Sequence, residues 1–132
     1  MERDLIISSQ LCNINKVRCF LDEVFTEYGL NKNSFHRVFL GISEAVSNSI
    51  VHGNCGNKEK CVIIRVVLND NNLLVEVTDE GEGFAVDCIN DPTCFENVMC
   101  ENGRGIFIIH QCADDVKYSD GGRSVMIKYN LD

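Results

Sequence analysis

The stretch Glu44-Ala-Val-Ser-Asn48-Ser-Ile-Val-His52-Gly-Asn54 decides how the chain is read, because it carries two patterns at once. Placed on a helix at roughly 100° per residue, Phe35, Phe39, Ile42, Val46 and Ile50 gather in a sector of about 80°, the stripe of a core-facing helix. Glu44 and Asn48, four residues apart, fall on nearly the opposite side and stack with His52 in a polar row. Such a row has two readings. Charged and amide side chains on a helix are ordinarily solvated. Alternatively the row lines a pocket, in which the Asn48 oxygen meets a hard cation such as Mg²⁺ and Glu44 takes a proton. His52 either continues that row or serves as a cation at the helix C-terminus.

Working outward, this helix is expected over residues 34–51, closing at Gly53-Asn54, where residues tolerant of positive φ stand. Ahead of it, residues 4–8 read as a strand. Residues 13–28 read as a helix with Ile14, Val17, Leu21, Val24 and Phe25 on one face, Asn13 as its N-cap and Gly29 as its end. Behind it, the β-rich runs 62–68 and 73–78 flank Asn69-Asp-Asn-Asn72, a hairpin signal. Periodicity is then lost from Asp79 to Gly105, and a long irregular connection of that kind ordinarily serves a site. A third helix is expected over 106–113, starting directly after Gly103-Arg104-Gly105. A second hairpin is expected from runs 116–119 and 124–129 around Asp120-Gly-Gly122. The sum is an α+β chain, a single domain over 1–132, with helices set against a mixed, mostly antiparallel sheet.

Composition narrows the function. The 132 residues are 45% hydrophobic and 24% charged with one proline, as in a folded globular chain. A formal net charge of −8 argues against a surface built to neutralise nucleic-acid phosphates or to lie on an anionic membrane. No signal peptide or membrane-spanning run is visible, so a cytoplasmic protein with no membrane and no direct nucleic-acid contact is expected. The eight cysteines contain no C-x₂-C pair and read as buried or incidental thiols.

The chemistry-bearing residues lie in three segments. Asp79-Glu-Gly81-Glu-Gly83 puts an acidic residue at a strand end, followed by glycines that admit another molecule to the backbone; the same pattern also makes a plain turn. Gly103-Arg104-Gly105 opens a helix, whose N-terminal NH groups can hold phosphate, or it is simply a loop. In order, these follow the Glu44-x₃-Asn48 helix. That succession resembles the GHKL ATPase superfamily, and within it the anti-sigma-factor serine/threonine-protein kinases, over nearly the whole length.

The resemblance implies a histidine kinase-like ATPase fold of the Bergerat type: a two-layer α/β sandwich with helices on one face of the sheet. Carried over residue by residue, Asn48 binds Mg²⁺ bridging the ATP phosphates and Glu44 is the general base. Asp79, with Gly81 and Gly83, accepts a hydrogen bond from the adenine amino group. Gly103 and Gly105 meet phosphate, and residues 87–102 form the ATP lid. Arg104 departs from the apolar residue usual between these glycines; it contacts phosphate or partner, or stays solvated. Gly122 is followed by Arg123 where the family often has Thr, which sets the adenine-side hydrogen bonds apart. The implied function is an anti-sigma-factor serine/threonine kinase that sequesters a sigma factor and phosphorylates a serine of a STAS-domain antagonist, as a homodimer joined through the first strand and helix. The alternative is a non-catalytic ATP-binding module that acts on a protein partner through lid ordering.

Overall fold

Buried branched apolar side chains alternate with exposed or half-buried ones along Val62, Ile64, Val66 and along Leu73, Val75, Val77, and this period of two commits one face of each strand to a core. The computed structural model describes residues 1–81 and 103–131, the side chains of residues 103 and 104 excepted. The described residues form strands β1 (Glu2–Ser8), β2 (Cys61–Asn69), β3 (Asn72–Asp79), β4 (Asp115–Ser119) and β5 (Ser124–Asn130), and helices α1 (Ile14–Glu27), α2 (Phe35–Asn48) and α3 (Gly103–Cys112). The sheet order is β1-β2-β3-β5-β4, and each of the four pairings is antiparallel.

One core joins the two layers. Val17, Leu21 and Val24 of α1, Val38, Ile42 and Val46 of α2, and Ile109 of α3 pack with Ile64, Val66, Val75, Val77, Val125 and Ile127 of the sheet, all at 3% exposure or less apart from Val125. Each such side chain contributes roughly 1.5–3 kcal/mol of burial free energy. The opposite sheet face keeps Ile6 and Ile63 exposed, so the described helices lie on one side of the sheet. The architecture is the expected α+β sandwich. Among the described residues no helix is long and apolar enough to cross a membrane.

Local rules place most boundaries. Gly29 takes φ +62° after α1, and Leu30 N–H reaches back to Phe25 O at 2.9 Å, the left-handed helix stop that glycine permits. The first hairpin turns at Asp70, at φ +55°. Gly41 admits the Tyr129 hydroxyl beneath α2: a methyl group there would lie 2.5 Å from it.

Other expectations need correction. Asn13 sits at the N-cap position of α1 without capping it; its Nδ2 instead donates to Ser8 O at 2.9 Å and Ser8 Oγ at 2.8 Å. The second helix does not remain α-helical to residue 51. From Ser49 to Gly53 it widens into a π-turn. The positive φ expected at Gly53-Asn54 falls on Cys55 and Gly56. Gly103 and Gly105 lie inside the first turn of α3 rather than ahead of it. The described cysteines, Cys12, Cys19, Cys55, Cys61 and Cys112, are free thiols and none is fully buried.

Candidate functional site

The inward alternation of β3 runs Leu73, Val75, Val77 and then Asp79, so the pleat that buries three apolar side chains also drives a carboxylate into the core-facing layer. Asp79 is 7% exposed. Its Oδ1 accepts the Gly81 N–H at 2.9 Å, and the Ser49 hydroxyl bonds the same carboxylate. Gly53 lies so close that any side chain there would strike both carboxylate oxygens, and a methyl group on Gly81 would strike the Gly53 carbonyl. The widened turn after Asn48 therefore brings Ser49 and Gly53 onto Asp79. Such π-turns recur at functional sites.

Burial raises the Asp79 pKa above the usual carboxylate range, while Gly81, Ser49, Arg123 and Lys60 pull it back down. A carboxylate in this state is a strong acceptor for a donor entering the cleft. Beside it the Tyr118 phenol is pushed up to about 12 by burial and stays neutral at physiological pH.

The polar row meets the start of α3. Glu44 and Asn48 are half-buried. A methyl group on Gly105 would lie 3.0 Å from Glu44 Oε2 and 3.3 and 3.4 Å from the Asn48 Oδ1 and Nδ2. The absence of a side chain at Gly105 leaves space beside an acid, an amide and the first turn of a helix, where backbone NH groups have no partner within the helix. A cleft lined by Ala45, Asn48, Ser49, Asp79, Tyr118 and Arg123 joins this polar end to the carboxylate end. Among the described residues, no three His, Cys, Asp or Glu side chains could hold a metal ion. An Mg²⁺ at Asn48 would depend on that single amide oxygen and on its ligand's own oxygens. This suits a cation that keeps several waters and binds phosphate, so the donor set fits.

Of the residues singled out from sequence, Glu44, Asn48 and Gly105 come together, Asn48 and Asp79 line one cleft, and Gly81 is bonded to Asp79. Gly83 and the expected lid, residues 87–102, lie outside the described residues, as does the side chain of Arg104; the backbone of Gly103 and Arg104 opens α3. His52 is exposed and lies in the π-turn, beyond the α-helical part of the row. Arg123 lines the cleft with its guanidinium on Asp120 Oδ1 at 2.9 Å. The Ser124 hydroxyl is engaged with Thr78 Oγ1 at 3.0 Å. Ser49, Gly53 and Tyr118 were not singled out for the site. Ser49 was adjacent to Asn48, and Tyr118 followed the inward alternation of its strand, so the signals existed.

Comparison with known proteins identifies the family and the fold. The histidine kinase-like ATPase domain profile matches residues 7–129. The serine-protein kinase RsbW of Listeria monocytogenes is 27% identical over 120 residues, covering 85% of this chain and 76% of that protein. The serine-protein kinase RsbW of Staphylococcus epidermidis is 28% identical over 128 residues, covering 88% and 79%. The crystal structure of the RsbU and RsbW domains of Rv1364c from Mycobacterium tuberculosis superposes with a TM-score of 0.67 at 16% identity; the match spans 98% of this chain and 31% of that longer one.

Proposed function

Because the chain belongs to the histidine kinase-like ATPase family, we propose that it is a cytoplasmic serine/threonine-protein kinase, a single domain over 1–132. Its substrates are ATP and a serine hydroxyl on a STAS-domain antagonist of a sigma factor, which the kinase sequesters. The observation that carries this reading is the docking of the first turn of α3 over Glu44 and Asn48, with Asp79 buried at the far end of the same cleft. The names of the relatives support it.

In this reading Asp79 accepts the adenine amino group, and Gly81 keeps the backbone beside the base free of side chains. The resemblance assigns Gly83 and the lid, residues 87–102, to the same nucleotide site. The NH groups of Gly103, Arg104 and Gly105 face phosphate at the start of α3. The Asn48 oxygen would hold Mg²⁺, which when bound would neutralise charge on the phosphate oxygens. Glu44, one helical turn before Asn48, takes the proton of the incoming serine hydroxyl as its oxygen bonds to the γ-phosphorus and the bond to ADP breaks. Catalysis of this kind is mainly positioning and charge neutralisation. The homodimer forms through β1 and α1.

The test is transfer of label from ATP to a purified STAS-domain antagonist. Wild-type chain is expected to phosphorylate a serine only with Mg²⁺ present. Glu44→Ala should lower the rate about 10²-fold or more while ATP affinity stays within about threefold. If nucleotide binds and no serine is phosphorylated, the kinase claim fails and the non-catalytic regulatory module remains. If Glu44→Ala transfers normally, Glu44 is not the base.

A further inference from the structure

Asn54 is 1% exposed, the lowest value among the described non-aromatic polar residues. It stands directly after the π-turn and closes it, its N–H donating to Ser49 O at 2.8 Å. The carboxamide is fully employed. Nδ2 donates to Ser9 Oγ at 2.7 Å and to Cys61 O at 3.0 Å, and Oδ1 accepts the Glu80 N–H at 2.9 Å. The carbonyl of Cys61 can only accept and the N–H of Glu80 can only donate, so the amide has one consistent orientation. A single side chain thus joins the end of β1, the start of β2, the end of β3 and the turn that follows Asn48.

The Glu80 N–H belongs to the peptide that leaves Asp79. Holding it restricts the backbone on which the carboxylate is mounted, and Gly81 N–H then falls on Asp79 Oδ1. Glu80 reinforces the arrangement, with Oε1 accepting the Cys61 N–H at 2.9 Å. Ser49 and Gly53, delivered by the turn that Asn54 closes, occupy the remaining sides of the carboxylate. The acid meant to read the base is held by three neighbours and by the peptide beneath it, and Asn54 fixes both the peptide and the turn.

We propose that Asn54 is a positioning residue for base recognition: through its bond to the Glu80 N–H it aims the Asp79 carboxylate at the exocyclic amino group of a purine. This rests on the nucleotide reading above and deepens it, since it assigns the choice of base to a residue that touches no ligand. An alternative role, in which Asn54 merely ties strands together, would affect every nucleotide alike. The two separate on one quantity, the preference for ATP over purine riboside triphosphate, whose base lacks the amino group and whose phosphates are the same.

Calorimetric dissociation constants of both nucleotides, with Mg²⁺ and the full chain, give that preference. A hydrogen bond to a charged acceptor corresponds to roughly ten- to a hundredfold in affinity, so wild type is expected to prefer ATP by about that much. In Asn54→Ala the preference should fall to within about threefold, mostly by loss of ATP affinity. Ser9→Ala, which loosens the same junction on the side away from Glu80, should keep it. Asn54→Asp retains an oxygen for the Glu80 N–H and should also keep the preference; this holds the question open to measurement where the alanine variant does not fold. An undiminished preference in folded Asn54→Ala overturns the proposal, as does a lost preference in folded Asn54→Asp. A wild-type chain that binds neither nucleotide defeats the nucleotide reading itself, and this inference with it. A wild-type chain that binds both equally defeats only the Asp79 contact and the inference built on it.

Discussion

Gly81 and Gly105 are both small because something lies where a side chain would be, but the obstacles differ and so do the expected consequences. At Gly81 the obstacle is the backbone carbonyl of Gly53, which cannot rotate away. Gly81→Ala is expected to destabilise the fold by roughly 2–3 kcal/mol, read as a lower denaturant midpoint. At Gly105 the obstacles are the ends of the Glu44 and Asn48 side chains, 3.0 to 3.4 Å away. Alanine there gains up to about 1 kcal/mol of helix propensity. Gly105→Ala should therefore leave Tm unchanged or higher while weakening nucleotide binding about tenfold or more. Asp79 carries a pH signature as well. Its folded pKa is raised chiefly by burial, so the folded state holds this proton more tightly than the unfolded chain. The stabilisation is fully present below the unfolded value and is lost as pH rises through the folded one. Asp79→Asn should thus be slightly more stable than wild type at neutral pH, by a few degrees of Tm at most. That advantage should vanish in melts below about pH 4, and adenine recognition should be lost at every pH. These residues were legible in the sequence, since an acid at a strand end followed by spaced glycines already suggests a site. Asn54 was not, because nothing local distinguishes a buried amide with three distant partners from a polar residue closing a helix.

The strands, both hairpins and the helix α1 were written in local periodicity and turn residues. The π-turn was not. Ser49, Ile50, Val51 and His52 suit an α-helix equally well, and the wider turn is selected by what it must reach, namely Asp79 for Ser49 and Gly53. Likewise Asn13 forgoes the cap because Ser8 offers its carbonyl and hydroxyl together. Helix α3 shows how one element is held at both ends. Its first turn faces the polar row of α2. Its C-terminal turn is tied by Arg37, whose Nη1 donates to Cys112 O and Nη2 to Asn130 O, each at 3.0 Å, with the guanidinium 5.7 Å above the Tyr129 ring. Arg37 is partly exposed, so solvent reduces what these bonds contribute. Arg37→Ala is expected to cost about 1–2 kcal/mol. Its mark should be local: hydrogen exchange should quicken most at the amides of residues 109–113, and an unchanged exchange pattern there would show that Arg37 does not anchor α3.

On the scale of the whole molecule, the fold places its chemistry where three elements from distant parts of the sequence converge: the C-terminal end of α2, the end of β3 and the start of α3. Sequence periodicity gave the elements in order. It did not say that β5 would lie between β3 and β4, because a hairpin's own residues do not encode which sheet edge it joins. That placement carries Arg123 to the cleft, and the Arg123 carbonyl accepts the Asp79 N–H at 2.9 Å. A ligand that bridges the cleft bonds α2, β3 and α3 to one another, so it should stabilise the fold as a unit. At a hundredfold excess over Kd the gain is about 2.7 kcal/mol, seen as a concentration-dependent rise in Tm of several degrees. Titration calorimetry of the chain with ATP, with and without Mg²⁺, tests the central claim most directly. The account predicts one saturable site per chain in the presence of Mg²⁺, severely weakened in Asn48→Ala; no binding heat and no thermal stabilisation at millimolar Mg-ATP would contradict it.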